Sequence, residues 1–228
     1  PNCKSYDPAF GYELAVIIEH GLKEMYEYKK NYFYYLTVTN ERYIQPPKPK
    51  NKDIDKNIIK GMYRISKVKN PKVRLLGSGA ILNECIKAAE ILSNYGINSE
   101  VWSVTSFNML RKEGMEIENK NIKNPSTQDK ESFVAQCFSE NNIPTVASTD
   151  YMRAYAEQIR PYISSPYFTL GTDGFGRSDS REKLREFFEV DANNIVMTAA
   201  YALLKNESLD KKDIQKIYRE TNANKNKN

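Results

Sequence analysis

Along the chain, stretches whose apolar residues recur every three to four positions alternate with short runs that are apolar throughout, a pattern that predicts alternating helices and strands. Asp7 and Pro8 stand ahead of residues 9–25, where Leu14, Ile17, Ile18, Leu22 and Met25 keep helical spacing; Asp7 is the expected cap and Pro8 the first-turn residue. Residues 32–39, aromatic and β-branched, follow as a strand expected to be buried on both faces. A helix feeding a strand is half of an α/β unit, and with no strand read ahead of it the expectation is that the true start lies upstream of Pro1.

Past the polar, proline-rich run 45–52, the pattern predicts a helical turn at 53–60, an edge strand at 61–68 and a strand at 73–76. A helix at 80–95 follows, with Leu82, Ile86, Ala89 and Leu92 as its buried stripe and Gly96 as its stop, and then a strand at 99–105. Strand, glycine turn, helix and strand in this order make a βαβ unit, whose crossover should be right-handed. A short helix at 107–111 leads into a polar, Asn-rich surface excursion at 112–130, then a helix at 131–140, a strand at 144–148 and a helix at 150–159 ended by Pro161. Tyr167, Phe168 and Leu170 mark another strand. After it Gly171, Gly174 and Gly176 turn the chain, and Asp179 is the expected cap of a helix with Glu182 three residues on and Leu184, Phe187 and Phe188 as its apolar face. Helices at 194–204 and 210–218 finish the pattern, and 222–228 reads as a disordered tail.

Composition narrows the class. With 228 residues, 40% hydrophobic and 28% charged, the chain has globular values and length for one full domain plus an attached piece. No stretch is apolar for long enough to span a bilayer, and no apolar h-region follows Pro1-Asn2-Cys3-Lys4, so no membrane partner is expected. Cys3, Cys85 and Cys137 lack CxxC spacing and read as reduced thiols of a cytoplasmic protein, and the single His20 has no second imidazole or cysteine near it to bind a metal. A net charge of +5 invites a nucleic-acid reading, but the lysines and arginines are not clustered with aromatic residues, and no nucleic-acid partner is expected.

Two glycine turns hold the candidate chemistry. Gly77-Ser78-Gly79 follows a strand and opens a helix, with Glu100 about twenty residues on, where a dinucleotide fold keeps its ribose-binding acid. Against that, Leu82 stands at the third glycine position and Glu100 starts its strand rather than ending it; a tight strand-to-helix turn is the plainer reading. In the loop Gly171, Asp173, Gly174, Phe175, Gly176 and Arg177, the glycines suggest close approach or positive φ. Phe175 is expected to plug the core while Asp173 and Arg177 ring the loop. The other reading is an anion cradle at a helix start, although the spacing matches neither a P-loop nor a dinucleotide fingerprint.

Several runs are long enough to carry a resemblance: Thr172-Asp173-Gly174-Phe175-Gly176-Arg177-Ser178-Asp179-Ser180-Arg181-Glu182, Ala147-Ser148-Thr149-Asp150-Tyr151-Met152, Leu75-Leu76-Gly77-Ser78-Gly79, Ser5-Tyr6-Asp7-Pro8-Ala9 with Tyr12-Glu13, Trp102-Ser103-Val104-Thr105-Ser106-Phe107, and 34–41. Together they closely resemble the C-terminal region of the homodimeric, bacterial-type pyruvate dehydrogenase first component, within the transketolase-like thiamine-diphosphate enzymes. The resemblance implies an α/β fold, doubly wound, with a mostly parallel sheet and one antiparallel edge strand, preceded by a helix-strand remnant of a middle domain. Residues 1–46 would end that pyrimidine-binding-type middle domain, 47–52 would be a linker and 53–221 the C-terminal domain.

The resemblance further implies an enzyme that decarboxylates pyruvate with thiamine diphosphate and Mg²⁺ and passes acetyl to the lipoyl group of dihydrolipoyl acetyltransferase. The cofactor and metal ligands of such enzymes match no position here. This segment alone is therefore expected to be inactive, binding no cofactor and serving homodimer assembly and active-site support. One departure is informative: where related transketolases carry Ser-Arg-Gln, whose arginine holds a sugar phosphate, this chain has Thr39-Asn40-Glu41, which places Asn40 and Glu41 as candidate residues of the active-site rim. The alternative is a free-standing doubly wound regulatory or adaptor module, binding a nucleotide or anion at one of the two glycine turns.

Overall fold

The computed structural model describes residues 2–125, 129–139 and 142–221; the expected tail at 222–228 lies outside the described residues. The N-terminal piece is a complete βαβ crossover: β1 (Cys3–Tyr6), α1 (Gly11–Leu22), a wider helical turn at Lys23–Glu27, and β2 (Phe33–Leu36). β1 and β2 run parallel, Cys3 opposite Phe33 and Tyr6 opposite Leu36. A strand thus does precede the helix, contrary to the sequence reading. Cys-Lys-Ser-Tyr has no apolar run to announce it, and pairing with β2 alone makes it a strand. Nor is β2 buried on both faces: among the described residues its sheet has two strands, and Phe33 is 53% and Tyr35 60% exposed. Asp7 does not cap α1, which starts at Gly11; Glu13 in the first turn folds its carboxylate back onto the N–H groups of Ala9 and Phe10 at 2.5 and 2.9 Å.

A second sheet of five strands follows in the order β3-β5-β4-β6-β7: β3 (Met62–Arg64), β4 (Val73–Gly77), β5 (Ser99–Val104), β6 (Thr145–Ser148) and β7 (Tyr167–Leu170). β3 is antiparallel to β5 and every other pairing is parallel. This is the expected mostly parallel sheet with one antiparallel edge. It forms because β4 and β5 are buried along their whole length, and a parallel sheet needs helices on both faces. Alternation along the strands sends Leu75 to one face and Leu76 to the other. On the Leu75 side pack α3 (Leu82–Ser93), α8 (Ala192–Lys205) and α9 (Lys211–Glu220), through Leu82, Cys85, Ile195, Ala199 and Ile217. On the Leu76 side pack α4 (Phe107–Lys123), α5 (Phe133–Phe138) and α6 (Arg153–Glu157), through Phe107, Leu110, Val134 and Ala156. α2 (Ile54–Lys60) joins the two units: Ile54 and Ile58 share a cluster with Tyr6 and Ile17 of the first and Tyr63 of the second.

Three further expectations change. The excursion at 112–130 is, up to Lys123, a continuation of α4, whose polar residues are its solvent side. Gly114 on that helix lets the Tyr162 ring in so closely that a Cβ there would stand 2.3 Å from Cζ. α7 (Arg181–Phe187) is capped by Ser180, whose hydroxyl accepts from the Lys183 N–H, while Asp179 accepts from the neighbouring Ser180 N–H and pairs with the Lys183 ammonium at 4.0 Å. Its Leu184, Phe187 and Phe188 do not form a buried face, because α7 has no buried residue.

Candidate functional site

The two sets of residues singled out by the sequence meet at one cleft of about 410 Å³, between the segment after β2 and the loop and helix after β7, lined by Glu41, Asp150, Thr172, Arg177, Arg181 and Arg185 among others. The loop is anchored at its base. A Cβ on Gly171 would lie 2.5 Å from the Tyr151 carbonyl and 2.6 Å from the Arg153 nitrogen, so only glycine lets the two backbones approach. Thr172 donates its N–H to the Tyr151 carbonyl at 2.9 Å and its hydroxyl to the Asp150 carbonyl at 2.5 Å. Asp173 accepts from the Arg153 N–H at 2.9 Å and from Arg153 Nε at 2.5 Å, and these bonds, the backbone one first, hold its carboxyl below the usual carboxylate range.

Beyond that base the loop opens outward. Gly174 takes φ +92°, a left-handed conformation suited to glycine. Phe175 is 95% exposed, so it does not plug the core: the turn that Gly171 permits throws the tip away from the sheet. Arg177 stacks over the Phe187 ring at 4.2 Å.

Asn40 and Glu41 sit across the cleft from α7. Arg181 donates to the Asn40 side-chain oxygen. Arg185 grips Glu41 with both terminal nitrogens, at 3.0 and 2.5 Å, and its hydrogen bond holds the Glu41 carboxyl below the usual range.

The other glycine turn is closed by packing. A Cβ on Gly77 would meet Leu82 Cα at 2.6 Å and Cys85 Sγ at 3.0 Å. The Gly79 N–H is already bonded to the Asp7 carbonyl at 3.0 Å, and Ser78 donates to the Thr149 hydroxyl at 3.1 Å. Glu100 is buried and committed to Arg64 at 2.7 Å and Arg74 at 3.2 Å. Among the described residues no group of three or more His, Cys, Asp or Glu could hold a metal ion.

Sequence reasoning missed two buried carboxylates that tie the two sheets together. Asp7 accepts from the hydroxyls of Thr37, Tyr151 and Tyr155 at 2.6, 3.0 and 2.8 Å, and burial, then the Asp7 charge, pushes the Tyr151 phenol up to about 12. Glu13, fully buried, accepts from Tyr63 and Ser103 at 2.6 Å each besides its two backbone donors. For Glu13 the available signal was a charged residue one turn ahead of Ile17 on the buried face of α1.

Comparison with known proteins gives a consistent neighbourhood. Residues 61–191 match the family model described as the transketolase-like TK C-terminal domain, and residues 1–46 that of the pyruvate dehydrogenase E1 component middle domain. The chain is 51% identical over 208 residues to the pyruvate dehydrogenase E1 component of Pseudomonas aeruginosa, covering 89% of this chain and 23% of the relative. With that of Escherichia coli it shares 48% over 217 residues, 93% of this chain and 24% of the relative. It thus spans about a quarter of the length of these curated relatives. Among solved structures, a transketolase mutant with fructose-6-phosphate from Pichia stipitis aligns with a TM-score of 0.65 at 17% identity, over 92% of this chain and 26% of that one. Transketolase from Leishmania mexicana aligns at 0.60 and 17%, over 90% and 26%. At such identities the likeness is one of fold.

Proposed function

The chain belongs to the transketolase-like C-terminal domain family and is similar along its length to pyruvate dehydrogenase E1 components, and from that premise we propose that it works as the C-terminal quarter of such an enzyme. In this reading the whole enzyme is a cytoplasmic homodimer that decarboxylates pyruvate with thiamine diphosphate and hands the acetyl unit to the lipoyl group of dihydrolipoyl acetyltransferase. Residues 1–46 end the middle domain, 47–52 link, and 53–221 form the C-terminal domain. In this reading the cofactor and its Mg²⁺ are held by the rest of the enzyme, since the ligands that the resemblance implies match no position of this sequence. This segment supports the dimer and walls the active site, with Asn40 and Glu41 at the rim, and is inactive alone.

The observation that carries the reading is identity of 45–51% to E1 components across nearly all of the chain. The alternative module, binding a nucleotide or anion at a glycine turn, has less support: the Gly77 turn is filled, and the Gly171 turn gives its base to Tyr151 and Arg153. Two measurements test the proposal. Calorimetry of the 228-residue chain with thiamine diphosphate, NAD and ATP should register no heat of binding, and a micromolar signal with a nucleotide would favour the module. In the full-length enzyme, Asn40→Ala should raise KM for pyruvate; wild-type kinetics would remove Asn40 from the rim.

A further inference from the structure

We propose that Arg181 and Arg185 are positioning residues that fix the shape of the Thr39-Asn40-Glu41 rim from the other side of the domain boundary; the inference rests on the rim assignment above. Residues 37–50 form neither helix nor strand, so local hydrogen bonding does not set Asn40 and Glu41. The segment is tied to the α1 side by Tyr43, which donates to the Ala9 carbonyl, and by Gln45, which accepts from the Gly11 N–H at 2.8 Å. Thr37 and Lys48 are tied to Asp7 and Asp55 at 2.6 and 2.9 Å, and among the described residues the side chains that hold Asn40 and Glu41 themselves are the two arginines.

α7 in turn has seven residues, none buried, and so short a helix does not hold itself in water. Its place is set by the stapled loop before it, by the fully buried Val190 just after it and by these contacts. Arg185 is the pivot, its side chain only 12% exposed. Its fork takes both oxygens of Glu41, and Nη1 also stands 3.5 Å from Glu84 Oε1. Glu84 is fixed on the core helix α3, and its other oxygen accepts the Ala192 N–H at 3.1 Å at the start of α8. A line therefore runs from the core through Glu84 and Arg185 to Glu41, with Arg181 adding Asn40 one turn away. A guanidinium fork fixes direction as well as distance, which an ammonium does not. The rim's orientation is thereby imposed by the C-terminal domain, while the residues that face the substrate belong to the segment before it.

The test is steady-state kinetics of the full-length enzyme with pyruvate. Arg185→Met should raise KM for pyruvate about tenfold with kcat nearly kept, since a misdirected rim weakens binding without touching the cofactor chemistry. Arg185→Lys should recover only part of that, and Arg181→Gln should show a smaller rise of the same kind. Arg181→Gln should cost less when added to Asn40→Ala than in the wild-type background, because the two share the Asn40 contact, while the 4.0 Å pairing of Arg181 with Glu41 leaves a remainder. A merely structural role would appear as less active enzyme at unchanged KM, and that result overturns the inference. If Arg185→Met does not fold, Arg181→Gln and Arg185→Lys decide by the same KM criterion. Wild-type KM in those variants alongside a raised KM in Asn40→Ala would sink the positioning role alone; wild-type KM in Asn40→Ala would remove the rim assignment beneath it.

Discussion

Replacing Glu13 should separate the two sheets energetically more than any exposed substitution on the N-terminal piece. The carboxylate is fully buried and accepts four hydrogen bonds, from Ala9 N, Phe10 N, Tyr63 OH and Ser103 OH, at 2.5 to 2.9 Å. In Glu13→Ala the two hydroxyls can rotate, but the two backbone N–H groups cannot, and each buried orphan costs about 1–3 kcal/mol. With the cavity added and the relief of carboxylate burial subtracted, the net loss should be about 3–5 kcal/mol. Glu13→Gln keeps one acceptor oxygen for the backbone pair and turns its amide toward the rotatable hydroxyls, so it should cost about 1 kcal/mol.

Urea unfolding at neutral pH reads both, and the alanine midpoint should fall by about 1–2 M. The sign of the pH dependence gives a second check. Burial, acting against the four hydrogen bonds, raises the Glu13 carboxyl above its ordinary value. A folded-state pKa above the unfolded one contributes stability that is full below the unfolded value and is lost as pH rises through the folded one. Glu13→Gln has no such titration, so its deficit against wild type should be largest in acid and shrink as pH rises. An alanine variant no weaker than Glu19→Ala on the exposed face, or a glutamine variant as damaged as the alanine one, would refute the reasoning.

Gly114→Ala should cost about 1–3 kcal/mol, because its Cβ would stand 2.3 Å from Tyr162 Cζ and the ring must move; an unchanged urea midpoint would show that it moves freely. Phe175→Ala should change stability by no more than about 0.5 kcal/mol, given 95% exposure; a loss several times larger would return Phe175 to the core. Glu24, bonded first to Lys30 and also to Lys4, has its carboxyl drawn from 4.5 down to about 2. Its contribution to stability should be present above 4.5 and lost as pH falls toward 2, so an acid titration of Glu24→Gln should show a shallower decline than wild type.

The alternation of apolar runs and helical stripes was enough, by itself, to establish the α/β class, the βαβ unit around Gly77 and the succession along the chain of the strands from β3 onward, because β4, β5 and β6 are buried along their length and their helices carry continuous stripes. The motifs from Ser5 to Glu182 were equally enough for the family. Local pattern could not reveal β1, which exists only by pairing with β2, nor the true reach of α4, whose last turns are polar on the side that faces water. It misplaced Phe175 for a related reason: an aromatic among glycines looks like a plug until backbone contacts at Gly171 decide which way the loop points. Residues far apart in the chain, such as Glu41 and Arg185 or Glu13 and Ser103, became partners only when the two sheets were set side by side. A carboxylate carries no mark in the sequence of the cation or hydroxyl that will satisfy it; burial requires a partner, and tertiary packing chooses which one.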